Sequence, residues 1–398
     1  MSSFYGGGLY RSRDRRSGFY GPGGVGGSVA APDPIGDLFA DGTDGYWFAD
    51  ADYSRLAASG LARLYTDTLG NTAATAVTNS IGLMFEEHAG VAIGPEIVVN
   101  GGFDADTNWT KGTGWTIAGG VASSLGPGTS QTLTQTPPAL PAGFYRTAFD
   151  VTALVTGNVQ VRFTTTPSVA ATPRTTTGSY AEYLLNATAT VIAPFSSATA
   201  NLSIDNVSVK AVAGNHGYQS TPGSRPTIQT AGGRLFLRFD ALDDSLLTPF
   251  LAQNGANSII AKVTVPASLA ATQVIAGSSG SGANRCFLGV NTSGQLCGGV
   301  GSDSTTTIVG TTDLRGLTVV VGLTFDGTTV KLFVEEAEEY SAGQNSTPTV
   351  TIPHCIGANN NNGTAGSFFG GDIYHCVAVR KARTLAQFLA IRSQMNAA

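Results

Sequence analysis

Short runs in which apolar residues alternate with polar ones, bounded by glycine, proline or asparagine, set the first constraint on this chain. Leu235, Leu237 and Phe239 alternate, as do Ile373, His375 and Val377, the period-2 pattern of half-buried strands. The same pattern runs through FYRTAFDVTAL from Phe144, NVQVRFTT from Asn158, AEYLLNATATVIAPF from Ala181 and NLSIDNVSVKAV from Asn201. LTVVVGLTF, from Leu317 to Phe325, reads as one buried strand and is too short to span a membrane. Only the last segment changes period. Thr384 with Gln387 makes a capping-box pattern, and Leu385, Phe388, Leu389, Arg392 and Met395 recur at helical spacing. The expected class is all-β: two consecutive antiparallel β-sandwiches, an extended N-terminal arm before them and a short C-terminal helix after them.

At 398 residues the chain exceeds what one hydrophobic core normally supports. Its 52 glycines, 17 prolines and 12 % charged residues suit a turn-rich β-protein. The net charge of −5 is unevenly placed, because Arg11, Arg13, Arg15 and Arg16 face only Asp14 in the first 30 residues. The acidic remainder argues against nucleic-acid binding. Cys286, Cys297, Cys355 and Cys376 lack metal-finger spacing. Two disulfides or four buried thiols would fit; thiols are favoured, since no signal peptide opens the chain and a particle assembled in the cytoplasm is reduced.

Four segments follow. In residues 1–30, Phe4, Tyr5, Tyr10, Arg11, Arg13, Arg15, Arg16, Phe19 and Tyr20 stand among glycines. This arm has too little apolar area to order alone, and its Tyr and Arg content suits docking to a partner; a bare flexible extension is the alternative. Gly21, Gly23 and Gly26 fit a dinucleotide-loop spacing, but no strand precedes them and no helix follows. Residues 31–95 are a turn-rich connector whose aromatics, Trp47 among them, can pack only against a neighbouring domain or subunit. Together the arm and connector read as a plug that holds two self-sufficient sandwiches, residues 96–212 and 213–398, against a larger assembly.

Three resemblances sharpen this. The order Leu38-Phe39, Gly45-Tyr46-Trp47-Phe48, Leu64-Tyr65-Thr66-Asp67, Thr72 and Ile81-Gly82-Leu83-Met84 is similar to a connector of bacteriophage structural proteins. Asn100-Gly101 with Phe103, Trp109 and Trp115, closed by Ile204-Asp205-Asn206-Val207, resembles jelly-roll carbohydrate-binding modules. Arg238, Phe239, Asp240, Asp243 and Asp244, with Ala382-Arg383 and Leu385, resemble the concanavalin A-like, or laminin-G-like, domain of many phage virion proteins. The resemblance implies a virion structural protein, a tail fibre or baseplate-attached appendage that binds host-surface glycan. Its implied partners are other virion proteins through the arm and further copies in a homotrimer, with no nucleic acid and no membrane insertion. A head-attached fibre or decoration protein is the alternative, and a glycan depolymerase a second.

Glycan binding needs aromatic faces and planar amides or cations. The jelly roll offers Trp109, Trp115, Tyr145, Tyr180 and Tyr183; the C-terminal domain offers Asn254, Asn257, Arg285, Asn359, Asn360, Asn361 and Tyr374. The two tryptophans read equally as core. Glu96, Asn100, Asp104 and Asp205 could hold a structural calcium, as could Asp240, Asp243 and Asp244, or both sets could cap turns. No cofactor is required. An enzyme is not expected: the histidines are scattered, no G-x-S-x-G elbow exists, and Glu335 to Tyr340 lacks the Asp that a glucanase strand carries.

Overall fold

A computed structural model describes residues 33–49, 63–87, 92–164, 168–252, 255–280, 285–301, 308–343 and 351–397. The nine arm candidates from Phe4 to Tyr20, and Asn254, lie outside this set. Among the described residues antiparallel sheets account for almost all regular structure, with one α-helix, Leu385–Ala397.

The C-terminal sandwich packs two sheets over one core. In the first, the order is Thr227–Ala231, Arg234–Arg238, Asp372–Val379, Asn257–Thr264, Thr318–Phe325, Thr329–Val334 and Ala337–Gly343. The second carries Leu246–Leu247, Cys355–Ile356, Gln273–Ser279, Arg285–Val290, Gln295–Val300 and Ile308–Asp313 in that order. Leu237, Phe239, Ile259, Leu288, Leu323 and Leu332 are among the side chains between them. The helix starts as its sequence indicates: Thr384 Oγ1 accepts the Gln387 amide at 3.3 Å, and Gln387 Oε1 accepts the Thr384 amide at 3.0 Å. Its Phe388, Ile391 and Met395 cover the back of the first sheet at Val320, Phe333, Val377 and Val379. The strand Asp372–Val379 is thus buried on both faces rather than half-buried. Its alternation also breaks. Pairing with Asn257–Thr264 skips from His375 to Ile373, so Tyr374 is an extra residue, Ile373 faces the sandwich core and Val377 faces the helix.

The described residues between 34 and 87 do not behave as a plug. Gly45–Phe48 pairs antiparallel with the second half of Asp372–Val379, from Gly45 opposite Val379 to Phe48 opposite Cys376. Arg234–Arg238 takes the first half of the same strand. A hairpin of Leu64–Tyr65 and Leu83–Met84 extends the second sheet through Gly217–Tyr218. Tyr46, Phe48, Leu64, Ile81 and Met84 enter the sandwich core, while Ile35, Leu38 and Phe39 pack beside the helix. The connector is therefore part of the C-terminal domain, and residues 34–398 form one compact unit. A strand whose partner lies more than 300 residues away leaves no local trace, which is why the connector reads as separate in the sequence.

The jelly roll is inserted into that sandwich. Its larger sheet runs Gly178–Asn186, Gly143–Thr156, Asn201–Val212, Val121–Leu125 and Trp115–Ala118, with Ile93–Glu96 also on Asn201–Val212. The smaller runs Val169–Ala170, Val159–Phe163, Ile192–Ser196, Gln131–Thr134 and Thr110–Lys111. Lys210 opposite Glu96 and Val212 opposite Ile93 bring its two ends side by side. Against the carrier, Phe144, Tyr183 and Val212 meet Tyr65, Leu83 and Phe85. Tyr183 also donates its amide to Leu69 O at 2.8 Å. Gly70, at φ +70°, is required there because a Cβ would lie 2.4 Å from the Tyr183 ring. Near this contact Glu182 pairs with Arg174 at 2.8 Å.

The four cysteines are free and buried, and burial pushes each thiol up to about 12.

Candidate functional site

Three of the sequence-predicted residues come together on the outer face of the second sheet. In Arg285–Val290, Cys286, Leu288 and Val290 point into the core, so Arg285, Phe287 and Gly289 face outward. Ser279 is opposite Arg285 on one side and Asn361 on the other, while Phe287 lies between Gly277 and Gly299. One row across the sheet is Asn361, Ser279, Arg285; the next is Gly277, Phe287, Gly299. A Cβ on Gly299 would lie 2.5 Å from Arg285 Cδ and 2.7 Å from Phe287 Cε1, so both side chains lie low over the glycine. Both remain half-exposed. Asn359 Nδ2 donates to Ser279 Oγ at 2.7 Å. A tight turn at Asn362 and Gly363 ends the asparagine run, and Asn360 Oδ1 accepts the Gly363 amide at 2.9 Å.

The arrangement is a shallow platform: an aromatic ring on a glycine floor, with a guanidinium and amides at its rim. Such a surface can stack the C–H face of a sugar and bond its hydroxyls. Phe287 and Ser279 are absent from the sequence-predicted set, although the alternation of Phe287 with core residues was there to be read.

The other candidates are placed elsewhere. Trp109 and Trp115 are buried in the jelly-roll core, with Trp109 Nε1 donating to Asn100 O at 2.9 Å. Tyr145 is buried there too and donates to Pro141 O at 2.7 Å. Tyr183 is buried at the contact with the carrier. Tyr180 is half-exposed, but the Arg174 guanidinium sits 4.5 Å from its ring centre. Asn257 and Asn360 are buried, as is Tyr374, whose ring packs 4.9 Å from Phe236. For Trp109, Trp115, Tyr145, Tyr183, Asn257, Asn360 and Tyr374 the glycan-contact expectation is corrected, because large or satisfied side chains have been used to fill the interior.

The first calcium set is engaged in turn and strand contacts. Glu96 accepts amides of Val98 at 3.1 Å and Val209 at 2.8 Å and the Ser208 hydroxyl at 2.6 Å, tying the first and last strands together. Asn100 Nδ2 donates to Ala105 O and Thr107 O, at 2.7 and 2.9 Å, and Asp205 accepts the Asn206 amide at 2.7 Å. Glu96, Asp104 and Asp205 do not converge. Among the described residues the carboxylates that do are Asp240, Asp243 and Asp244, within 4.8 Å of one another. Asp240 Oδ1 also accepts the amides of Leu242 at 2.8 Å and Asp243 at 3.3 Å, so it caps the turn.

Burial, then the like charges of Asp240 and Asp243, push the Asp244 carboxyl up to about 7. A carboxyl raised in the folded state contributes stability below about pH 4 that is lost as pH rises through 7. In calcium-free buffer, Asp244→Asn should therefore stabilise at pH 8 by about 1–3 kcal/mol, with the repulsion partly screened by water around Asp240 and Asp243. It should change little at pH 4; denaturant titration at both pH values checks this, and equal effects at the two would refute it.

Comparison with protein-family models finds no match, and neither does comparison with curated protein sequences. Among solved structures, the CBM40 module of the Ruminococcus gnavus IT-sialidase is similar at 19 % identity and a TM-score of 0.29, over 35 % of this chain and 83 % of that one. Domain 4 of AbnA, an extracellular GH43 arabinanase of Geobacillus stearothermophilus in complex with arabinotriose, is similar at 14 % identity and a TM-score of 0.33, over 42 % and 81 %. A Trypanosoma rangeli sialidase mutant displaying trans-sialidase activity is similar at 13 % identity and a TM-score of 0.29, over 43 % and 30 %. These are likenesses of fold over part of the chain and transfer neither ligand nor activity.

Proposed function

We propose that this chain is a structural protein of a tailed-bacteriophage particle that binds bacterial surface glycan, attached through its N-terminal arm to other virion proteins. The Phe287 platform with Arg285, Asn359 and Asn361 carries the binding part of this reading, because it exposes an aromatic ring and planar hydrogen-bonding groups on one open sheet face. The composition of the arm and the connector resemblance support the virion part. A homotrimer would multiply shallow, weak sites into firm attachment. Binding without cleavage is part of the proposal, and release of reducing ends from host polysaccharide would overturn it.

Purified host-surface polysaccharide is the first probe to try. Phe287→Ala and Arg285→Ala should each weaken retention on host cells at least tenfold, with the melting temperature changed by only a few degrees because both side chains are half-exposed. Unchanged retention in both variants would remove the platform from the proposal. Deleting residues 1–30 and asking which virion component no longer retains the protein separates a tail position from a head position.

A further inference from the structure

The smaller jelly-roll sheet carries a second surface of related chemistry. In Val159–Phe163, Val159, Val161 and Phe163 fill the core, so Gln160 and Arg162 face outward. The neighbouring strand places Phe195 opposite Gln160, and Thr132 beyond it. The Arg162 guanidinium sits over the Phe195 ring, its carbon 3.4 Å from the ring centre. With the Gln160 amide turned to satisfy its neighbours, the amide nitrogen donates to Ala171 O at 2.7 Å. Its oxygen then accepts from Arg162 Nε at 2.6 Å and from Nη2. Stack and amide together hold the guanidinium in place, and the side chain remains partly exposed.

Several arginines of this protein are held by carboxylates. Arg63, Arg174, Arg238, Arg315, Arg380 and Arg392 each pair with a carboxylate. Arg162 has no such partner among the described residues, although it is half-buried and burial holds its pKa below the usual arginine value. A partly desolvated, oriented and unpaired guanidinium is a receptor for a planar carboxylate.

We propose that the outer face of the five-stranded sheet is a second binding site, which takes a sugar bearing a single carboxylate and pairs that carboxylate with Arg162. This rests on the glycan-binding reading above. Arg162, Phe195 and Thr132 are each partly exposed on this face, and it belongs to a body that is net acidic. An isolated carboxylate on a neutral glycan meets little repulsion there, whereas a densely acidic peptide is repelled.

The full chain is titrated with an oligosaccharide ending in glucuronic acid and with its methyl ester, in low salt and in 0.5 M salt, taken as roughly a threefold shorter screening range. The acid should bind about tenfold tighter than the ester, with the gap closing at high salt. Arg162→Gln should abolish the preference, and Arg162→Lys should keep part of it. Equal binding of acid and ester by the unaltered protein overturns the inference without reference to any variant's folding. A poly-aspartate peptide that binds as tightly as the acid sugar also overturns it, in favour of a peptide site. If the platform binds neutral glycan while Arg162 shows no acid preference, only the second site fails; if neither surface binds any sugar, the function proposed above fails with it.

Discussion

Expressed alone, residues 213–398 should not fold, whereas residues 34–87 joined to 213–398 by a short linker should. The first fragment lacks Gly45–Phe48, the partner of half of Asp372–Val379, and the hairpin of Leu64–Tyr65 and Leu83–Met84 that completes the second sheet. It also loses Tyr46, Phe48, Leu64, Ile81 and Met84 from the core. At about 1.5–3 kcal/mol for each large apolar side chain, this approaches or exceeds the roughly 5–15 kcal/mol that holds a typical domain together. Joining is feasible because the Glu86 amide donates to His216 Nδ1 at 3.3 Å and Met84 lies opposite Gly217, so the two carrier ends already run side by side. The excised jelly roll, residues 92–213, keeps its own core and should fold independently. Near-ultraviolet circular dichroism and protease resistance of the three fragments test this. A well-folded 213–398 fragment would show that the N-terminal strands are dispensable.

Acid should unfold this protein by way of two histidines. His216 is fully buried with its ring 4.7 Å from Phe85 and 5.7 Å from Phe144, and His354 is fully buried 4.9 Å from Phe250. Burial is the main force that lowers both to about 3, with Arg63 adding to the effect at His216 and Arg380 at His354. Between pH 6.5 and 3 the unfolded chain binds protons that the folded chain refuses. Stability therefore stands in full above pH 6.5 and falls as pH drops, at about 1.4 kcal/mol per unit for each histidine. By pH 4 that is on the order of 3 kcal/mol apiece, partly offset by Asp244, which acts in the opposite sense. Denaturant midpoints from pH 7 to 4 give the slope. His354→Gln should reduce it by roughly one histidine's share, about 1.4 kcal/mol per unit, and an unchanged slope would show that the buried ring does not control acid stability.

The parts of the fold legible in the sequence are those written locally. Strand alternation from Leu235 to Phe239, the buried run at Thr318–Phe325 and the Thr384 cap each depend on a few consecutive residues. What stayed hidden depends on register. The extra residue at Tyr374 reverses the alternation of its strand, and no composition marks it. Within the asparagine run, Asn360 is buried and holds its turn while Asn361 is exposed, a division that appears only once the pairing with Ser278 and Ser279 is known. Trp109 and Trp115 drew attention as sugar-stacking aromatics, but a small sandwich first uses its largest rings as filler. Phe287 is the converse case: its setting depends on Gly277 and Gly299, contributed by two other strands.

The neighbouring ends of the inserted jelly roll also bear on inheritance. A domain that leaves and rejoins its host through one adjacent pair of strands can be traded for another by crossover at a single spot, without disturbing the host's fold. Related chains are then expected to keep the discontinuous carrier and differ in the cargo it displays, so divergence should concentrate between residues 92 and 213.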